Sequence, residues 1–305
     1  MTWILLALAA GSFQACRNAV ARSVAGKFSP MLNSWSRFAF NLPFSILLVA
    51  WFIAQYDWPA LNANYLFWCA MIGVMQILGN VALIEAFRRS SFAQSMVFHK
   101  LEVVMAAIIG VMIFSEYPTL FGWLGVLICA VGVILMNLGR EIAGMNAWRR
   151  AFTLDSGGTF ALLCGLLLVF ASFSIKEAAD AFVAINPNTS PDRLEAAVHT
   201  LFHTTWMEVV ILTVAILIRS PGEFKHVRQY WPRMSIIGFT GFCGSFCWFW
   251  AYSIALVTYV KAVGLIEAPI AVLISLLLWK EREVIKQLPG IFVLLSGILV
   301  VLIFG

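Results

Sequence analysis

The chain of 305 residues is 62% hydrophobic and only 11% charged, with a formal net charge of +5. A soluble fold of this length needs a polar surface that such a composition does not supply, so an integral, multi-pass membrane protein is expected. The basic residues lie in loops rather than along one stripe, which argues for the lipid bilayer as partner and against nucleic acid.

A hydrocarbon core of about 30 Å takes about 20 apolar residues per helix, and closed backbone hydrogen bonding makes helices the spanning form for such runs. Ten spans are predicted, at 3–25, 31–55, 64–87, 91–114, 118–138, 158–183, 195–218, 233–254, 256–279 and 285–304. Met1-Thr2 leads straight into the first span without a basic region or cleavage site, so no removable signal peptide is expected. Cys16, Cys69, Cys129, Cys164, Cys243 and Cys247 all fall within spans, form no CxxC pair and read as buried apolar thiols.

In chain order, the first span carries Gln14, Arg17 and Asn18 on one face, which must turn away from lipid. The second places Ser34, Arg37 and Asn41 together, with Pro43 predicted to kink the helix beyond them; Arg17 and Arg37 either line a cavity or snorkel to headgroups. The third pairs Gln76 with Asn80 between the packing residues Gly73 and Gly79. In the fourth, Gln94, His99, Lys100 and Glu102 follow one another, and an unbroken helix puts His99 and Glu102 alone on a shared face. That pair is read either as a proton relay or as an interhelical hydrogen bond.

Glu116 precedes Pro118 at the start of the fifth span and is read as a capping residue, as is Glu281 in the second half. Residues 140–157 form a polar linker whose Trp148, Arg149 and Arg150 suit either a headgroup surface or a solvated loop. The sixth span holds Lys176 and Asp180 four residues apart, with Glu177 beside them; the pair is either self-neutralising or leaves Lys176 for an anionic substrate group. The seventh opens with His199 and His203, a weak metal signature without HExxH, and continues to Glu208, which could meet Arg37. The eighth is the most aromatic, with Trp248 and Tyr252 as cavity or interfacial residues. The ninth carries Tyr259, Lys261, Glu267 and Pro269, the last predicted to free a carbonyl one turn upstream.

One pattern recurs at a constant offset of 165 residues: Glu102, Glu116, Gly125 and Gly132 map onto Glu267, Glu281, Gly290 and Gly297. Intramembrane Glu is rare, so its return in register marks a duplication. The stretches Leu101–Glu116 and Ile266–Glu281, each followed by glycines nine and sixteen residues after the second Glu, resemble the EamA half-repeat of the drug/metabolite transporter superfamily. That resemblance implies an all-α membrane protein of ten transmembrane helices in a 5+5 inverted-topology repeat. The first repeat is then 1–139 and the second 158–305. It also implies transport of a small metabolite or drug. The typical repeat has Pro directly after the first Glu, whereas Val103 stands there in one half and Ala268 then Pro269 in the other.

No P-loop, Rossmann fingerprint, zinc pattern or GxSxG elbow occurs, so no cofactor, metal or ATP-driven step within this chain is expected, and the protein is read as a non-enzyme. The expected function is secondary transport, with export of a small polar or zwitterionic metabolite such as an amino acid. The alternative is a membrane-embedded enzyme or sensor using His199, His203 and Glu208, or His99 and Glu102. Substrate-binding candidates are Gln14, Arg17, Asn18, Gln76, Asn80, His99, Glu102, Lys176, Trp248, Tyr252, Tyr259 and Glu267. Glu102 and Glu267 are also the proton-coupling candidates, while Glu116, Glu281, Gly125, Gly290 and Pro269 are read as structural. With these spans, fourteen loop Lys and Arg residues fall on one face and Arg193 alone on the other, which predicts both termini outside. A bacterial inner membrane and a monomer or weak homodimer are expected.

Overall fold

The structure is a computed structural model that describes residues 1–24, 27, 29–56, 58–89, 95, 98–138, 155–278, 280 and 282–305. Among them are twelve α-helices and no strand. In order they are α1 (Thr2–Ser23), α2 (Pro30–Ala39), α3 (Leu42–Gln55), α4 (Ala63–Arg89), α5 (Glu102–Ile113) and α6 (Leu120–Leu138). The second half gives α7 (Ser156–Ile185), α8 (Leu194–Arg219), α9 (Lys225–Ile254), α10 (Val257–Gly264), α11 (Glu267–Leu278) and α12 (Leu288–Phe304). Residues 140–154, with Trp148, Arg149 and Arg150, as well as Gln94 and Glu281, lie outside the described residues.

Among the described residues, eight segments are long and apolar enough to cross a membrane: Thr2–Ala21, Pro30–Gln55, Ala63–Arg89, Ser156–Ile185, Leu194–Arg219, Pro221–Ile254, Val257–Leu277 and Ile285–Phe304. Leu120–Met136 is a shorter apolar helix. The protein is thus an all-helical, multi-pass membrane protein. Of the ten predicted spans, the fourth and fifth are not among these eight. α5 has 12 residues and rises about 18 Å, less than the hydrocarbon core requires. α9 starts at Lys225 rather than at 233 and runs through Pro232. Arg228 and Pro232 are exposed there, so the carbonyl that the proline frees is available to polar surroundings.

Helix starts follow local chemistry. Ser29 accepts from Leu32 N at 3.2 Å ahead of Pro30, Asn62 from Tyr65 N at 2.8 Å, Thr119 from Gly122 N at 2.9 Å and Asp155 from Gly158 N at 2.7 Å. Each side chain satisfies a donor that lipid could not, for a contribution of about 1 kcal/mol. Pro43 falls in the first turn of α3, after a break at Phe40 and Asn41, so the expected kink is a full interruption.

The helices cluster into two compact units, Met1–Val74 with Ser174–Ile254, and Met75–Phe173 with Ala255–Gly305. Each takes chain from both sequence halves. In the first, α1 meets α9 at Gly244, where a Cβ would lie 3.4 Å from Phe13 Cβ. Leu32, Ile216 and Met234 form one core cluster of this unit, and Val49, Phe52 and Val198 another.

In the second unit the sequence repeat becomes geometry. α6 and α12 touch through the repeated glycines: a Cβ on Gly125 would lie 3.0 Å from Gly297 O, and one on Gly290 would lie 2.8 Å from Gly132 O. Gly125 therefore faces Gly297 while Gly132 faces Gly290, so these equivalent helices run antiparallel. Ser115 and Lys280, one offset apart, both take left-handed backbone, with φ of 54° and 55°. Substituting Gly132 by Val should cost about 1–3 kcal/mol by overpacking and lower the melting temperature in detergent. Gly222→Ala, where nothing lies within 4 Å, is the control expected to melt with the wild type.

Candidate functional site

Both copies of the repeat break their helix at the same place. In the first half Leu101 interrupts the run and α5 begins at Glu102; in the second, α10 ends at Gly264, Leu265 and Ile266 form a turn, and α11 begins at Glu267. The first break has no proline. The second has Pro269 in the first turn of α11, downstream of the break, so the interruption is not the proline kink expected from sequence. Each Glu stands at a helix N-terminus, where a carboxylate is favoured by the exposed N–H groups and the helix dipole.

The breaks bring four charges together within the second unit. Lys261 Nζ donates to Glu102 Oε2 at 3.2 Å, and Lys100 Nζ donates to Glu267 Oε2 at 3.5 Å. The four side chains are only 7–14% exposed. Each pair joins a residue of one sequence half to a residue of the other. The two carboxylates expected as proton-coupling candidates are thus each paired with a lysine. Lys100, which an unbroken helix would have turned away from Glu102, is brought into the cluster by the turn at Leu101.

Neighbours hold this arrangement. His99 is buried, with Nδ1 3.5 Å from Cys164 Sγ of α7. Gly165 lets α7 approach the break, since a Cβ there would lie 3.0 Å from His99 O and 3.4 Å from Glu102 Cβ. Glu116 is 4% exposed and caps a helix of the other half: its Oε2 accepts from Val257 N, the first residue of α10, at 2.9 Å. The residue ahead of α10 is Leu256, whose side chain cannot cap. Tyr259 Oη accepts from Thr119 N at 2.8 Å, so this expected substrate group is engaged at the start of α6.

The other expected site residues fall elsewhere. Gln76 and Asn80 are half-buried on α4 within the second unit. Gln14, Arg17, Asn18, Lys176, Trp248 and Tyr252 belong to the first unit. There Trp248 Nε1 donates to Gln14 Oε1 at 3.1 Å and its ring stacks on Tyr252, while Arg17 donates to its neighbour Asn18 at 3.1 Å. Asp180 pairs with Arg193. His203 Nδ1 is 2.8 Å from His199 O and 3.1 Å from Tyr65 Oη. Among the described residues no three His, Cys, Asp or Glu side chains are grouped to hold a metal.

Breaking one pair should cost more than removing it. Lys261→Met leaves the Glu102 charge uncompensated in low dielectric, an expected loss of about 3–5 kcal/mol. Adding Glu102→Gln to Lys261→Met should recover much of it, as read by thermal unfolding of the four combinations.

Residues 1–138 match the EamA-like transporter family. No curated protein matches the chain. A solved structure titled only "Crystal structure of protein" matches 100% of this chain and 99% of its own, with a TM-score of 0.73 and 13% identity, which shows a shared fold. Over residues 1–138, under half of its length, the chain is therefore similar to the EamA-like transporter family.

Proposed function

We propose that the protein is a secondary transporter that exports a small polar or zwitterionic metabolite, with an amino acid as the type case, by alternating access. The observation that carries this is the quartet of Lys100, Glu267, Lys261 and Glu102 at two helix breaks. Each internal pair resembles what a zwitterion offers, one cation and one anion. A substrate ammonium can replace a lysine at a carboxylate while the substrate carboxylate takes that lysine, leaving the buried charge balanced throughout. A cation without an anionic group would instead add net charge to a low-dielectric site. Proton exchange at Glu102 or Glu267 requires that its lysine first bind the substrate, because each carboxylate already neutralises one.

The proposed topology is two repeats, 1–139 and 158–305, of five spans each and oppositely oriented, joined by 140–157. Antiparallel packing of the equivalent helices α6 and α12 supports it, as does the left-handed backbone shared by Ser115 and Lys280. Inverted repeats with discontinuous helices suit alternating access. The basic loops argue for both termini outside, in a bacterial inner membrane. Both ion pairs lie within one chain, so a monomer, or a weak homodimer of working monomers, suffices.

In liposomes, counterflow of labelled amino acids should be saturable and should fall at least tenfold, about 1.4 kcal/mol in binding, in Glu102→Gln and in Glu267→Gln. Movement of a quaternary ammonium dye with no zwitterion moved would overturn the substrate class. Reporter fusions after Glu116 and Glu281 should report opposite faces, and the same face for both would overturn the inverted repeat.

A further inference from the structure

One face of α8 changes character halfway along. Thr200, Thr204, Glu208, Leu212 and Ile216 recur at every fourth residue and are all buried, with exposures of 0–4%. The stripe is polar from the N-terminal end to Glu208 and apolar beyond it. Glu208 is the fifteenth of the 26 residues of Leu194–Arg219, so the change falls near the middle of the helix. On this stripe Glu208 Oε1 is buried without a hydrogen-bond partner, as is Asn41 Oδ1 ahead of α3.

The groups facing this stripe can also pass protons. Tyr65 and Cys69 of α4 lie beside Thr200 and Thr204. Gly73, one turn on, makes room for Glu208, whose Cγ would be 3.2 Å from a Cβ placed there. Toward the N-terminal end, His203 Nδ1 meets a carbonyl that can only accept, His199 O at 2.8 Å. The ring nitrogen therefore carries hydrogen, and Tyr65 Oη, 3.1 Å away, keeps its own proton to donate. From α2, Arg37 lies within electrostatic reach of Glu208. Yet Arg37 Nε and Glu208 Oε1 are both left without a partner, so the opposite charges have not closed into a fixed pair. α3 brings no titratable side chain. The charged and titratable groups at the start of α9, from Lys225 to Arg233, and Glu223 before them, stand beside the opposite end of α8.

We infer that Glu208 is a proton-carrying carboxylate at the inner end of a half-length polar file formed by Tyr65, Thr200 and Thr204, separate from the lysine–glutamate quartet. The step moves a proton and nothing else. The carboxylate oxygen accepts it from the adjoining hydroxyl or a water, an O–H bond forms, and the donor is refilled from the next group toward the start of α8. A proton on Glu208 cancels its attraction for Arg37, and its release restores that attraction. In the topology proposed above, the start of α8 lies at the outer face, so protons would enter from the side toward which substrate leaves. This last point rests on that reading; the site itself does not.

The test is an infrared pH titration of the full chain in liposomes without substrate. A carboxyl carbonyl band should grow on acidification, vanish in Glu208→Gln and persist in Glu102→Gln and Glu267→Gln. A wild type without a titrating band overturns the proposal, whether or not Glu208→Gln folds, and so does a band that survives in folded Glu208→Gln. Thr204→Val, which keeps shape but removes the hydroxyl, should leave the band in place and slow its deuterium shift several-fold after transfer to heavy water. An unchanged rate overturns the file. Movement of a quaternary ammonium dye with no zwitterion moved, with this band intact, would sink the substrate assignment alone.

Discussion

Two ion pairs that cross the chain by 167 and 159 residues hold the two sequence halves to a common register. Lipid supplies no counter-ion, so each intramembrane lysine and glutamate needs its partner in place for the charge to be tolerated. The helix breaks at Leu101 and at Leu265–Ile266 bring the partners into reach. The breaks depend in turn on local supports: the missing side chain of Gly165, the cap that Glu116 gives Val257, and the helix N-termini on which Glu102 and Glu267 stand.

Much of this was legible in the sequence, for physical reasons that differ residue by residue. Glu102 and Glu267 stood out because a carboxylate in a span is rare, and their equal spacing from the following glycines exposed the duplication. Glu116 was legible as a cap by residue type, but its target was not, because Val257 is 141 residues away. Lys100 was misread because helical periodicity assumes a continuous helix, and the turn at Leu101 has no proline to announce it. Glu208 was legible as a possible partner of Arg37, but Thr200 and Thr204 on the same stripe escaped notice because Thr in a membrane helix commonly bonds its own backbone. Of the spans, α9 begins eight residues before the predicted 233, because Pro232 lies where the carbonyl it frees is exposed and the helix can run through it.

The glycines of α6 and α12 show what the repeat contributes beyond symmetry. Van der Waals contact between backbones is a main source of helix association in lipid, where burying apolar surface gains little. Gly125, Gly132, Gly290 and Gly297 bring the backbones into contact at two levels along both helices. Such an interface resists sliding as well as separation, and makes a firm base for the breaks in the same unit.

The lysines also spoil the symmetry that the glutamates keep. One offset from Lys100 stands Leu265, and one offset before Lys261 stands Met96. Exchanging the roles of the two halves would therefore carry both carboxylates onto each other but leave neither lysine where the other had been. In a perfectly duplicated chain the conformations open to either side of the membrane would be related by a two-fold rotation and equal in free energy. Under the alternating access proposed above they would be chemically different states, with unequal populations at rest, and the empty protein would have a preferred direction in which to wait.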